Sequence, residues 1–555
     1  MDLPRQLSIV SYAVNGSGLG HVSRQVAIHR WLRRYAAFAG VHTQHWFLTT
    51  SEADTWLWHE GFAAFKLPSK SVVEEAGIHK LAYLALAKQW VWHSLALLRP
   101  DLLIVDTFPN GSFHELIGAL DLCRHKALVL RPVKEEIAQQ PAFRAMASLY
   151  DRVVVPEPAE DHTQLAARLG VDPRRLACTG PVMRCESFEM QDRAAARTTL
   201  GVDAPRCVLV SAGGGGDATA EQLFATVASL LGDDPNIHLV FAAGPLFRGA
   251  PRRGPRLTWW TGPGLAEQLH GVDAAICAAG FNTVHELLFA GVPTVFVPQT
   301  KIADDQAARV DALVRAGAAR VARLDDPAGL RAELLAVLAE PAASTLRAAG
   351  PTVVPENHAR DAALEILGLA LPASLLRHAR ETLDETLLHD LHDLQGMGLE
   401  LPTLVDVACA LHGAREVDRS ALELEPALEL LRVAHTRNVA APTLLKLATL
   451  FGRKLRTARH DPDEVAAALT DLIAFPGLAD QWSAAVLLLG ALTGEREWSP
   501  RELVRQLCAL LDAGLAAGRD VFATARLVVE AQAGAGEGGS NAALLARARV
   551  LGGAP

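Results

Sequence analysis

Apolar and polar positions follow two rhythms along this chain, and the change comes near residue 371. Before it, short apolar or β-branched runs alternate with longer stretches whose apolar positions recur at i, i+3 and i+4. The short runs predict strands over Leu7–Val14, Gln44–Leu48, Leu102–Val105, Ala127–Leu130 and Val153–Val155. A second set covers Cys207–Val210, Ile237–Phe241, Leu257–Trp259, Ala274–Cys277 and Thr294–Val297. Helices are predicted between them, as over Val22–Arg34 and Ala220–Leu231. Such alternation predicts an α/β fold of parallel, doubly wound sheets, and near-continuous apolar strands fit sheets covered on both faces. Thr179-Gly180-Pro181-Val182 leads through a polar stretch to Arg193, and a fresh strand–glycine loop–helix unit follows. That restart predicts two domains, 1–182 and 190–354, with a hinge near 180–192 and a ligand cleft between the carboxyl ends of their strands.

Past Leu371 the pattern turns helical throughout, over Ser374–Leu391, Ala421–Ala434, Thr443–Leu455, Asp463–Ile473 and Ser499–Leu511. Residues 372–555 are therefore expected to be an all-α domain, with a loose Gly/Ala-rich stretch from Gln532 to Asn541.

Composition narrows the function classes. Of 555 residues 50% are hydrophobic and 21% charged, which is ordinary globular usage with room for three or four domains. The 53 Lys and Arg against 62 Asp and Glu leave a formal charge of −9, a poor balance for neutralising nucleic-acid phosphates. Seven scattered cysteines without a C-x-x-C pair argue for reduced thiols and against a zinc ribbon or a disulfide framework. With no signal-peptide pattern and no stretch of 18 uncharged apolar residues, a cytoplasmic protein is expected.

The candidate chemistry lies in three glycine turns. The first strand runs into Asn15-Gly16-Ser17-Gly18-Leu19-Gly20-His21 just before a helix. Glycines let a backbone turn sharply or approach a ligand, and a helix N-terminus attracts negative charge. The same dipole end disfavours a protonated His21, so the imidazole is expected neutral near pH 7 and able to accept a proton, unless it serves only as a cap. The second turn, Ser211-Ala212-Gly213-Gly214-Gly215-Gly216-Asp217-Ala218, reads as a phosphate cradle. Phe241-Ala242-Ala243-Gly244 offers no ribose-binding acid where a nicotinamide fold carries one, and no G-K-[ST] completes a P-loop. The third turn, Ala279-Gly280-Phe281-Asn282-Thr283, places Glu286 about one turn into a helix, where its carboxylate can accept from two vicinal hydroxyls of a ribose. Taken alone, Glu286 could be a solvated helix residue, but its neighbours in the turn argue against that. Neither His285-Glu286 nor His114-Glu115 finds the second His of a zinc-protease motif.

Together these segments resemble glycosyltransferases of the GT-B fold, with two Rossmann-like domains, and in particular the MurG-like family 28. The chain is more similar still to a group of bacterial transferases with a Gly-Leu-Gly-His-x-x-Arg loop, an Asp-x-Phe-Pro-x-Gly segment and a Gly-Gly-Gly-Gly-Asp loop. Here these are Gly18 to His21 with Arg24, Asp106 to Gly111, and Gly213 to Asp217. The Asn357-His358-Ala359 segment matches the start of a crossover helix, 355–370, that returns to the first domain. The resemblance covers residues 5–370 and leaves the helical tail without a role.

It implies a nucleotide-sugar donor, usually a UDP-sugar, and a sugar moved to an acceptor hydroxyl with inversion. Glu286 would then hold the ribose, the 213–217 and 280–283 turns the diphosphate, and Asp305 with Gln306 the sugar hydroxyls. Gly18, Gly20, Arg24, Gly213, Gly214, Gly215, Gly216, Gly280, Phe281, Asn282, Thr283, Glu286, Asp305 and Gln306 are the expected donor-side residues. His21 is the first candidate for general base and Asp106 the second; Arg24 or Lys301 would add positive charge. With no D-x-D motif at a strand end, neither a metal nor another cofactor is expected.

Two other readings remain open from sequence: a nucleotide-sugar 2-epimerase on the same fold, and a non-catalytic nucleotide-sugar-binding regulator whose helical tail recruits a protein partner. Tyr83, Trp90 and Trp92 in the apolar segment Leu81–Leu98 are either core or a contact for a membrane surface or lipid-linked acceptor. Lys446, Arg453, Lys454, Arg456 and Arg459 form a basic helix face or a partner contact.

Overall fold

The computed structural model describes residues 6–382, apart from 15–18, 40, 112–113, 160, 217–218, 245, 263 and 302, together with 471–472, 475, 499–533 and 546. The chain divides into two compact units, residues 1–32 with 43–372 and residues 33–42 with 373–555.

The first unit holds both sheets. Seven strands, β1 (Gln6–Ala13), β2 (His42–Thr49), β3 (Ala63–Lys66), β4 (Leu102–Asp106), β5 (His125–Val129), β6 (Arg152–Val155) and β7 (Leu176–Cys178), lie in the order β3-β2-β1-β4-β5-β6-β7. Six more form a second sheet: β8 (Arg206–Ser211), β9 (Ile237–Ala242), β10 (Leu257–Trp260), β11 (Ala274–Ala278), β12 (Thr294–Val297) and β13 (Arg320–Val321). Their order is β10-β9-β8-β11-β12-β13. The pairs run parallel, for example Ile9 opposite Leu102 and Val208 opposite Ala274.

Both sheets are thus Rossmann-like, as the strand–helix alternation predicts. β4 and β11 are buried along their whole length because helices cover both faces, which is why they read as unbroken apolar runs. The second sheet packs one layer through Leu209, Cys277, Leu287 and Phe296 and the other through Val210, Phe224, Ile276 and Leu334.

In each sheet the winding reverses between two neighbouring central strands, β1 with β4 and β8 with β11. Chains leaving such strands diverge to opposite faces and open a crevice at the carboxyl ends. The turns after β1, β8 and β11 are the three glycine segments singled out from sequence, and Asp106 is the last residue of β4.

The joint between the two sheets is built tightly. Gly180 adopts φ +106°, and a Cβ there would lie 2.3 Å from the His358 ring, so only glycine fits. His358 N donates to Pro181 O at 2.8 Å, and buried Asn357 ties Met183 and Cys185 with its side-chain amide. The helix Ala359–Leu367 then packs on β6 of the first sheet, where Glu365 meets Arg152 at 3.4 Å.

The helix Lys80–Leu98 resolves the aromatic question position by position. Tyr83 is core and donates to Pro68 O at 2.6 Å, Trp90 is half-buried, and Trp92 is 44% exposed, as Leu81 and Leu97 on the same helix are at 68% and 70%.

Within the second unit, the helices Pro500–Ala516 and Val521–Ala533 pack on one another, and the first is capped by Ser499 Oγ accepting from Glu502 N at 3.4 Å. The helix expected from Ser374 runs over Ala373–Thr382 as far as it is described. The segments Ala421–Ala434 and Thr443–Leu455, the basic cluster around Arg453, and most of Asp463–Ile473 and Gln532–Asn541 lie outside the described residues.

Candidate active site

A cavity of about 760 Å³ opens where the two crevices meet. The first sheet contributes Gly20, His21, Arg24, Phe108 and Arg131; the second contributes Gly213, Gly214, Gly280, Phe281, Thr283 and Glu286.

His21 opens the helix Gly20–Phe38, and its Nδ1 lies 2.5 Å from Asp106 Oδ1. A carboxylate partner puts the imidazole proton on Nδ1 and leaves Nε2 with its lone pair. Burial lowers the His21 pKa; the Asp106 charge opposes this, and the Arg131 and Arg24 charges reinforce it, so the ring is neutral at pH 7.

Asp106 is heavily engaged. Besides His21 it accepts from Arg24 Nε at 3.0 Å, Arg24 Nη2 at 2.6 Å, Gln25 Nε2 at 3.0 Å and Thr107 Oγ1 at 2.8 Å. Burial alone would raise its pKa, but the Arg24 charge, with help from His21, holds the carboxyl well below 3.8. A carboxylate so occupied has little basicity to offer a substrate. The next residue, Thr107, sits at φ +64°, a left-handed conformation that costs a non-glycine residue energy and is found chiefly where function requires it.

Arg24, expected to face the donor with a spare charge, is instead 1% exposed and forked onto Asp106. Its Nη1 reaches Asn282 Oδ1 at 3.4 Å, and Asn282 Nδ2 donates to Gly20 O at 3.2 Å, so this side chain joins the first and third glycine turns. Phe281 lies between two guanidinium groups, Arg24 at 5.7 Å and Arg309 at 5.3 Å from its ring centre.

The glycines of the second turn divide by task. Gly213, at φ +75°, faces open space in the cavity wall with Gly214. Gly215, at φ +82°, is required by packing, since a Cβ there would lie 1.9 Å from Ala243 O. Gly244 answers it from the end of β9, its own Cβ position falling 2.5 Å from Gly214 C. Gly216 is exposed and is not among the cavity-lining residues. Gly18 and Asp217 lie outside the described residues.

Glu286 is half-buried and lines the cavity. Burial pushes its pKa up to about 7, against the opposing pull of Arg184. Gln306 is buried and accepts from Gln299 N at 2.9 Å. Asp305 departs from expectation: it is exposed and caps the helix Gln306–Arg315, accepting from Ala308 N at 3.0 Å. Its neighbour Asp304 faces the cavity, bound to Arg309 Nη2 at 2.6 Å and to Arg131 Nη1 at 3.0 Å. A helix start offers two adjacent acids to different directions, and the backbone phase, invisible in the sequence, decided which one points inward.

Arg131, Arg184, Trp260 and Gly244 line the cavity without any expectation from the sequence, and Asp304 reads from the sequence only as a helix-start acid beside Asp305. No motif marks them; only the strand-end position of Gly244 and Trp260 gave a usable signal. Among the described residues no group of three or more His, Cys, Asp or Glu is arranged to hold a metal ion.

Residues 263–363 match the glycosyltransferase family 28 C-terminal domain, a segment that contains the third glycine turn, Glu286 and Gln306. Over 188 residues the chain is 31% identical to the UDP-N-acetylglucosamine--N-acetylmuramyl-(pentapeptide) pyrophosphoryl-undecaprenol N-acetylglucosamine transferase of Cutibacterium acnes. That alignment takes in 32% of this chain, and the chain spans about half (50%) of the length of that relative. Among solved structures, the glycotransferase of kitacinnamycin is 19% identical, with 66% of this chain and 100% of that one covered at a TM-score of 0.46. MurG of Acinetobacter baumannii is 18% identical, with 65% and 99% covered at a TM-score of 0.43.

Proposed function

We propose that this chain is a glycosyltransferase that moves a sugar from a UDP-sugar donor to an acceptor hydroxyl, with inversion and without a metal ion. The observation that carries the reading is the His21–Asp106 pair. A neutral imidazole with its Nε2 lone pair lines the same cavity as Gly213 and Gly214 of the second glycine turn and as the third turn, which lies in the segment that matches the family 28 C-terminal domain.

Displacement at an anomeric carbon asks for two things. The acceptor oxygen must lose a proton, and the departing diphosphate must have its charge stabilised. His21 Nε2 takes the proton as general base, a contribution of about 10²–10⁴-fold. Asp106 orients the ring and favours the imidazolium as it forms, so the two sequence candidates act in series instead of competing. The backbone of Gly213 and Gly214 and the N-terminus of the helix Phe281–Phe289 receive the diphosphate. Glu286, which is ionised above its raised pKa of about 7, then accepts from the ribose hydroxyls, and Gln306 lies toward the sugar. UDP as the nucleotide is supported by the name of the Cutibacterium acnes relative, which acts on a UDP-sugar. A lipid-linked acceptor is supported by the exposed Leu81, Leu86 and Leu97 on a first-sheet helix.

The test is a panel of UDP-sugars offered with lipid and soluble acceptors, with UDP release and product stereochemistry followed. Transfer gives UDP and a glycoside of inverted configuration, and Glu286→Ala weakens donor binding. Isomerisation of the sugar without UDP release would indicate an epimerase, and no turnover with tight donor binding would indicate a regulator. Either outcome overturns the proposal.

A further inference from the structure

Behind Asp106 runs a line of buried polar side chains for which the reaction outlined above has no use. Gln25 Nε2 donates to Asp106 Oδ2 at 3.0 Å, and Gln25 Oε1 accepts from Ser11 Oγ at 2.7 Å. His29 Nε2 meets Ser11 Oγ at 3.0 Å, and His29 Nδ1 meets His45 Nδ1 at 2.8 Å. His45 Nε2 lies 2.9 Å from Thr43 Oγ1 on the half-buried stretch of β2. Gln25, Ser11 and His29 are each 0% exposed, and His29 is boxed by Phe47 and Phe62 at 4.6 and 5.7 Å.

The proton positions along this line follow from its end. A carboxylate only accepts, so Gln25 must present its NH₂ group to Asp106 and its carbonyl to Ser11. Ser11 therefore donates to Gln25 and must accept from His29, which places the His29 proton on Nε2. His29 Nδ1 then accepts from His45 Nδ1–H, and His45 Nε2 accepts from the Thr43 hydroxyl. All five bonds point the same way. Aligned donors of this kind polarise one another, and in a low-dielectric interior their combined pull on the terminal acceptor exceeds that of one isolated bond.

We propose that Gln25, Ser11, His29 and His45 form a one-directional hydrogen-bond relay that positions Asp106 and holds down its charge density, and through it sets the basicity of His21. These are positioning residues; none reaches the cavity. The inference rests on the reading of His21 as general base, but the relay itself is testable without turnover. Such a device has a physical use. With its carboxylate fully saturated by donors, His21 is kept from becoming so basic that it is protonated, and idle, at neutral pH.

The groups that bear on His21 are Asp106 at the end of β4, Arg24 on its own helix and Arg131 beyond β5; none of them is altered in the test. Ser11→Ala cuts the relay at its middle, and Gln25→Met cuts it beside Asp106. NMR titration of the His21 ring, assigned by comparison with His21→Gln, gives its midpoint in full-length protein without any substrate. The expected result is a midpoint raised by about half a pH unit or more in Ser11→Ala and in Gln25→Met. Ser11→Thr, which keeps the hydroxyl, returns the midpoint toward that of the parent. An unchanged midpoint in either relay-cutting variant that retains the parent far-UV dichroism overturns the relay, whatever the enzyme assay shows. Conversely, a raised midpoint in a protein that transfers no sugar supports the relay and removes only the catalytic reading.

Discussion

Replacing Asp106 by Asn changes one atom of the carboxyl group and should be felt in both stability and rate. Arg24 holds both carboxylate oxygens, Nε on Oδ2 at 3.0 Å and Nη2 on Oδ1 at 2.6 Å. Whichever way an Asn amide is turned, its NH₂ group faces an arginine donor. The change also strips the counter-charge from a guanidinium that is 1% exposed. Breaking a buried pair by removing one partner costs about 3–5 kcal/mol, a large part of the 5–15 kcal/mol or so by which a domain is stable. Asp106→Asn should therefore lower the unfolding free energy by about 3–5 kcal/mol in urea at pH 7. Adding Arg24→Met removes the stranded charge, so the double variant should lose less than the sum of the two singles. The pH dependence has a definite sign. Because the folded carboxyl titrates below its ordinary 3.8, its contribution is whole above that value and is lost as pH falls through and below it. The gap between parent and Asp106→Asn should accordingly close in acid. A single variant within about 0.5 kcal/mol of the parent at pH 7, or additive behaviour of the two substitutions, would refute the ion-pair argument.

Three further outcomes follow from the same geometry. Burial holds Glu286 to a pKa of about 7, above the ordinary 4.5, so its ionisation opposes folding increasingly as pH rises from 4.5 through 7. Glu286→Gln should melt higher than the parent at pH 8 and alike at pH 4, while calorimetry shows weaker UDP-sugar binding; equal melting at pH 8 would contradict the burial argument. Gly215→Ala must push a methyl group into the Ala243 carbonyl, whereas Gly213→Ala meets open space and bears only a left-handed backbone, about 1–2 kcal/mol. Chemical denaturation should rank Gly215→Ala as clearly the more destabilising, and the reverse order would show the loop to be wrongly described. Asp305→Ala removes a helix cap and should cost about 0.5–2 kcal/mol with the donor KM unchanged; a raised donor KM would restore it to the sugar site.

Much of the architecture was local enough to read from the chain. Apolar runs bounded by turn residues located ten of the thirteen strands among the described residues, because a strand buried on both faces needs no partner to reveal itself. The strands not foreseen are β3, β7 and β13. Ala63–Lys66 is half exposed, Leu176–Cys178 spans three residues, and Arg320–Val321 spans two. Each lies at a sheet edge, where the neighbouring strand creates the element and the residues carry little pattern of their own. The glycine turns were legible for the complementary reason, since a strand end followed by glycines and a helix start is one continuous stretch of sequence.

Contacts across sequence distance were a matter for the folded chain alone. Asp106 stands 85 residues from His21, and nothing in the sequence says that the two meet, or that Arg24 would be absorbed in the same cluster. That pairing exists because β1 and β4 are neighbours at the point where the first sheet reverses its winding. In the same way the helix phase after Ala303 turned Asp304 inward and left Asp305 as a cap. Residue types and short spacings thus determined which chemistry the chain carries. Strand order determined which of those groups share a cavity, since proximity between distant residues is a property of the sheet and not of any segment within it.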